Sequence, residues 1–217
     1  MTNILICFYL ISLSLLLITT YQNKRSPLRL PFKMLTSLIF VAIAALGFKT
    51  HTPDLTYIYF LLIGLILSAL GDLFLGLSHH APIKDNPILL GGIFTFALAH
   101  IAFIISFIML DQFSLFPLMV IPLLIAGVFV RTTASTRFDF GKLRLPVILY
   151  SFIISTMLVM ALSTGIPFVV IGASLFAVSD IILSFSFIYR SKYPILSVCN
   201  LLIYYLGQLF LALFLFK

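Results

Sequence analysis

Two aspartates sit where carboxylates are rare. Asp72 lies in Ser68-Ala69-Leu70-Gly71-Asp72-Leu73-Phe74-Leu75 and Asp180 in Phe176-Ala177-Val178-Ser179-Asp180-Ile181-Ile182-Leu183, both inside long apolar runs. An ionisable side chain is costly in hydrocarbon, so each marks a functional site by default. A pair in similar settings suits acid–base chemistry. Apolar surroundings favour the neutral form of a carboxyl, and a neighbouring carboxylate favours it further. One acid of a pair can then hold a proton while the other stays ionised, the usual division into general acid and general base. The sequence does not say which is which.

Residues four apart share a helix face. Gly64, Ser68, Asp72 and Gly76 form one small and polar seam, and small residues let helix backbones approach, so this face should look into a bundle. Gly172, Asp180 and Ser184 line a similar face, interrupted by Phe176, and Ser179 adjoins the acid. Asn200, Tyr204 and Gln208 make a polar stripe; Gly92, Phe96 and His100 align on another helix. Both acids lie about one to two turns from the same-side ends of their spans, so they can face each other across an interior. His100, Tyr204 and Gln208 would sit deeper, as a floor. Each of these residues also has a structural alternative. Tyr204, Asn200 and Gln208 suit interhelical hydrogen bonding, and His100 suits a bonded core position. Tyr150 is isolated and reads as structural. His79 and His80 read as solvated loop residues, Asp54 and Asp85 as helix caps, and Asp111 as interfacial.

The elements that must position these groups follow from composition. The chain has 217 residues, 62% of them hydrophobic and only 9% charged. A soluble domain carries about 25% charged residues, so this is an all-α, polytopic membrane bundle forming a single domain over 1–217. The net charge of +7 does not imply nucleic acid, because the basic residues sit in short loops between apolar runs rather than on a stripe. Cys7 and Cys199 both fall inside apolar runs and give neither a disulfide framework nor a thiol metal site.

A span needs roughly 20 apolar residues, and eight stretches qualify: 4–21, 33–49, 54–77, 87–110, 114–130, 145–164, 166–189 and 194–216. Thr52-Pro53, Asn86-Pro87 and Tyr193-Pro194 put proline at or near first helical positions, where its missing N–H costs nothing. The first positive charges, Lys24 and Arg25, follow the first apolar segment, which reads as a retained span rather than a cleaved signal. Of thirteen Lys and Arg residues, all but Lys49 and Lys217 fall in the loops after odd-numbered spans, with Lys33 counted in the first of these. By the positive-inside rule those loops are cytoplasmic and both termini extracytoplasmic.

A shift of 108 residues lays Gly71-Asp72-Leu73 on Ser179-Asp180-Ile181, Leu75 on Leu183, Phe96 on Tyr204 and Ala99-His100 on Gly207-Gln208. Spans one to four would then match spans five to eight as a parallel repeat about an axis along the membrane normal.

Several chemistries compete. A zinc hydrolase needs about three converging ligands, and only His100 is intramembrane, so no metal is expected. Intramembrane aspartyl proteases pair Tyr-Asp with Gly-x-Gly-Asp and Pro-Ala-Leu; here Ala69 breaks the second pattern and Pro-Ala-Leu is missing. A proton-coupled lipid or small-molecule transporter or binder stays open, because membrane acids and parallel repeats describe carriers too.

Ser68-x-x-Gly71-Asp72, Phe96-x-x-Ala99-His100, Ser179-Asp180 and Tyr205-x-x-Gln208 resemble the sequence blocks of the YhhN family of eight-span membrane proteins, which includes the lysoplasmalogenases. The resemblance spans roughly 30 to 215 and is strongest over 64–104 and 172–212. Phe176 departs from it, since many members carry an aromatic hydroxyl there. The resemblance implies a membrane hydrolase that cleaves the vinyl ether of a lysoplasmalogen to a fatty aldehyde and glycerophosphoethanolamine or glycerophosphocholine, without a cofactor. Asp72 and Asp180 would be catalytic; Ser68, His100, Ser179, Asn200, Tyr204 and Gln208 would orient substrate and water. The expected partners are the lysophospholipid substrate and membrane lipid. Short loops and the clean charge pattern point to a bacterial inner membrane.

Overall fold

The computed structural model describes residues 2–23, 26–49, 56–78, 86–110, 141–189 and 194–217. Seven long helices occur among them: α1 Thr2–Gln22, α2 Arg29–Phe48, α3 Thr56–Ser78, α4 Pro87–Met109, α5 Arg144–Thr164, α6 Pro167–Tyr189 and α7 Pro194–Phe214. A single 3-10 turn, Gly141–Leu143, leads into α5. At 1.5 Å per residue, helices of 20 to 23 residues match a hydrocarbon core of about 30 Å. In such a medium a helix succeeds because it satisfies its own backbone. All seven are long and apolar enough to cross a membrane, so the chain is a multi-pass integral membrane protein. The anticipated span 114–130 lies outside the described residues, as do His79, His80, Asp54, Asp85, Asp111 and Thr52-Pro53.

Helix starts follow local chemistry. Asn86 caps α4, its side-chain oxygen accepting from the N–H groups of Ile88 and Leu89, with Pro87 at the first helical position. Pro167 and Pro194 are likewise the first residues of α6 and α7. α5 ends at Gly165, whose φ of 63° supplies the left-handed cap that turns the chain into α6.

The start of α2 corrects the sequence reading. Lys33 was expected in the first loop, but α2 already begins at Arg29, and Lys33 is only 4% exposed. Pro31 falls in the first turn, where a proline is tolerated, and the partner that makes a buried ammonium affordable lies on α3.

Packing fixes the helix directions. Gly64 lies against the Phe103 ring and Gly71 against Phe96, so α3 and α4 are antiparallel. A Cβ at Gly71 would stand 2.6 Å from the Phe96 ring, which glycine avoids. Gly172 abuts Leu211, and Ser179 meets Asn200, so α6 and α7 are antiparallel too. Tyr204 reaches Asp72 and Tyr57 packs on Phe214, making α3 antiparallel to α7. α5 and α6 form a hairpin through Gly165. α7 is the most enclosed of the seven helices and touches α1, α2, α3 and α6. The interior holds Tyr9, Phe40, Leu65, Phe103, Met157, Phe176 and Tyr205, while Ile4, Phe8, Ile11, Leu15 and Ile18 of α1 face outward. Outward apolar side chains cost nothing against lipid, so close packing and buried polar contacts specify the bundle instead.

Candidate active site

Two polar clusters occupy the bundle interior, one around each acid. The first joins α2, α3 and α7. Lys33 Nζ stands 2.9 Å from Asp72 Oδ1 and donates to the Asp72 backbone carbonyl at 3.0 Å. Ser37, one turn along α2, donates to Asp72 Oδ2 at 2.7 Å, and the Tyr204 hydroxyl donates to the same oxygen at 2.8 Å. The Tyr205 hydroxyl lies 3.0 Å from both Ser37 Oγ and the Lys33 carbonyl. Tyr9 of α1 donates to the Tyr205 carbonyl at 2.6 Å. The Asp72 side chain is 2% exposed.

The second cluster joins α4, α5 and α6. The Tyr150 hydroxyl donates to Asp180 Oδ2 and lies 3.1 Å from His100 Nε2, which is itself 4.0 Å from that carboxyl oxygen. The Asp180 side chain is 15% exposed, more open than Asp72. His100 is fully buried.

Aromatic rings connect the clusters. The Phe176 ring packs 4.6 Å from the His100 ring and 5.1 Å from Tyr204, and Phe96 stands edge-on to both Phe176 and Tyr204. A contact path therefore runs Asp72, Tyr204, Phe176, His100, Tyr150, Asp180. Phe176, where an aromatic hydroxyl was anticipated, serves as the apolar divider.

One turn deeper lies a third set. Ser68 precedes Asp72 by one turn, Gln208 follows Tyr204 by one turn, and His100 follows Phe96 by one turn. The helix directions bring all three to a common level. Ser68 Oγ, His100 Nδ1 and both polar atoms of the Gln208 amide are buried without a hydrogen-bond partner among the described residues. Buried polar groups are normally satisfied, so this layer is equipped to hold a polar ligand or water. Ser179 and Asn200 behave differently. The Asn200 amide donates to the Ser179 carbonyl at 2.6 Å, and the Ser179 hydroxyl turns back to the Phe176 carbonyl. They meet each other at the α6–α7 seam rather than either acid.

Lys33, Ser37, Tyr150, Tyr205 and Tyr9 join the site without having been singled out for it. Lys33 and Ser37 share a helix face four residues apart, which was the available signal.

A family model described as the YhhN family matches residues 28–215. Among curated proteins and solved structures, nothing matches the chain.

Proposed function

Because the chain belongs to the YhhN family, we propose that it hydrolyses the vinyl ether bond of a lysoplasmalogen inside the membrane. The reaction protonates the β-carbon of the enol ether and leaves an oxocarbenium ion. Water adds to that cation and returns a proton, and the resulting hemiacetal collapses to a fatty aldehyde and the glycerophospholipid alcohol. One carboxyl donates the first proton, and the second, ionised, stabilises the cation. The observation that carries this reading is the paired environment of Asp72 and Asp180, joined by an apolar aromatic wall suited to an alkenyl chain. The unpartnered layer of Ser68, His100 and Gln208 would orient the ether oxygen or water; Tyr204 orients Asp72, while Ser179 and Asn200 brace the helix pair that carries Asp180.

General acid–base groups contribute typically 10²–10⁴-fold. Asp180→Asn should therefore abolish measurable aldehyde release from a lysoplasmalogen by detergent-purified protein while leaving it folded, and Asp72→Asn should abolish it too, with a lowered melting temperature because Lys33 loses its counter-ion. Near-wild-type release by either variant would sink the assignment. A proton-coupled carrier would release no aldehyde and would need two compartments to act at all.

We also read the bundle as eight spans. α4 and α5 both run parallel to α7, given the antiparallel contacts of α3 with α4 and α7 and of α6 with α5 and α7. Met109 and Arg144 thus stand at opposite ends of the bundle, and the chain between them has to return across it, as the apolar stretch 114–130 would. The four-plus-four repeat gains support from matched contacts. Gly64 against Phe103 corresponds, after 108 residues, to Gly172 against Leu211. Each half also lends a residue to the other half's acid: Tyr204 to Asp72, and His100 toward Asp180.

A further inference from the structure

The two acids keep different company, and Lys33 makes the difference. An ammonium has three donors and no acceptor. The acceptors that Lys33 Nζ finds, Oδ1 and the backbone carbonyl, both belong to Asp72, at 2.9 and 3.0 Å. The other carboxylate oxygen accepts from Ser37 and Tyr204. Ammonium and two hydroxyl donors converge on a group that accepts everywhere when ionised. The pair is sealed, with side-chain exposures of 5% and 2%. A buried charge stripped of its partner is strongly destabilising, so neither member can change charge without disturbing the other. Among the described residues Asp180 has no such anchor: its partners there are a phenol and an imidazole, and its side chain is the more open.

We propose that Lys33 is a positioning residue that holds Asp72 as the permanent carboxylate of the site, leaving Asp180 as the acid that exchanges its proton with the substrate. This rests on the hydrolase reading above for its chemistry, though not for its charge assignment. Asp180 gives its proton to the β-carbon as the C–H bond forms and the enol-ether π pair is consumed. The fixed charge of Asp72 faces the oxocarbenium ion. Water forms the new C–O bond and its released proton returns to Asp180. Asp72 ends each cycle as it began, and Lys33 never transfers a proton.

Infrared spectroscopy of the purified full chain at neutral pH reads the assignment directly, because the chain has just six acidic residues. The band of a buried protonated carboxyl should vanish in Asp180→Asn and persist in Asp72→Asn. Lys33→Met should add a second such band and lower aldehyde release by roughly 10²-fold or more, with Lys33→Arg restoring much of both. A band lost in Asp72→Asn and kept in Asp180→Asn, or a Lys33→Met spectrum like the wild type, would overturn the proposal. If Lys33→Met does not fold, the Lys33→Met/Asp72→Asn double variant decides. Recovery of folded protein supports the pair, and a double variant as defective as the single one overturns it. Wild-type protein inert toward the lysolipid would remove the hydrolase reading alone, since the infrared result stands apart from turnover.

Discussion

The Tyr150 hydroxyl is the narrowest point of the polar network. It donates to Asp180 and lies within hydrogen-bonding distance of His100, so it sets the orientation of the one acid that remains partly accessible. Leaving a buried acceptor without its donor costs about 1–3 kcal/mol. Tyr150→Phe keeps the ring contact with His100, 5.4 Å between centroids, and removes the hydroxyl with its bonds to Asp180 and His100. Its expected consequence is a fall of roughly 10- to 100-fold in kcat, with a much smaller change in KM and an unaltered elution volume on size exclusion. An unchanged kcat would show that Asp180 needs no orienting group. Tyr150 was not legible as part of the site, because it is one of several hydroxyls on an apolar helix; only the fold tells which neighbour it meets.

Helices were legible where hydropathy and capping agree. The spans emerged from apolar run length, and Asn86-Pro87 announced the start of α4. The start of α2 was hidden for a physical reason. Hydropathy treats a lysine as a loop residue because an unpaired ammonium is expelled from hydrocarbon, and the pairing that reverses this depends on Asp72, 39 residues away. The burial of Gly64, Ser68, Asp72 and Gly76 followed the small-residue seam, whereas contacts between the two halves left no local trace. Helix-pair geometry gives its own prediction at Gly207. A Cβ there would stand 2.9 Å from the Gly172 carbonyl oxygen and 3.1 Å from the Phe176 nitrogen, both backbone atoms that cannot swing aside. Overpacking typically costs about 1–3 kcal/mol. Gly207→Ala should lower the melting temperature in detergent and reduce activity by shifting the helix that carries Asp180. Gly165→Asn should be nearly neutral, because the left-handed cap has open space and asparagine tolerates that conformation. Equal melting temperatures for Gly207→Ala and wild type would refute a rigid α6–α7 seam.

At the scale of the whole molecule, helix direction links topology to chemistry. Lys33 meets Asp72 and Phe48 packs on Tyr59, so α2 is antiparallel to α3; α2, α4, α5 and α7 therefore run parallel and begin at one end of the bundle, and the segments there carry Arg29, Lys142 and Arg144. Lys33 lies four residues into α2, Asp72 six residues from the end of α3, and Tyr150 six residues into α5, so the polar network lies near that end. Cytoplasmic loops carry the excess of Lys and Arg, and this rule predicts that this end is cytoplasmic and that both chain ends lie on the far side. A phosphate headgroup entering there would stay among basic residues while its alkenyl chain reached the aromatic wall about two turns below. The orientation is testable without assaying turnover. Alkaline phosphatase fused after Lys217 should be active in cells, since it folds only outside the cytoplasm, and a fusion after Phe48, at the far end of α2, should be active as well. A fusion after Ser78, at the end of α3, should be silent. Activity after Ser78 and silence after Lys217 would invert the bundle, so that substrate would have to come from the outer leaflet.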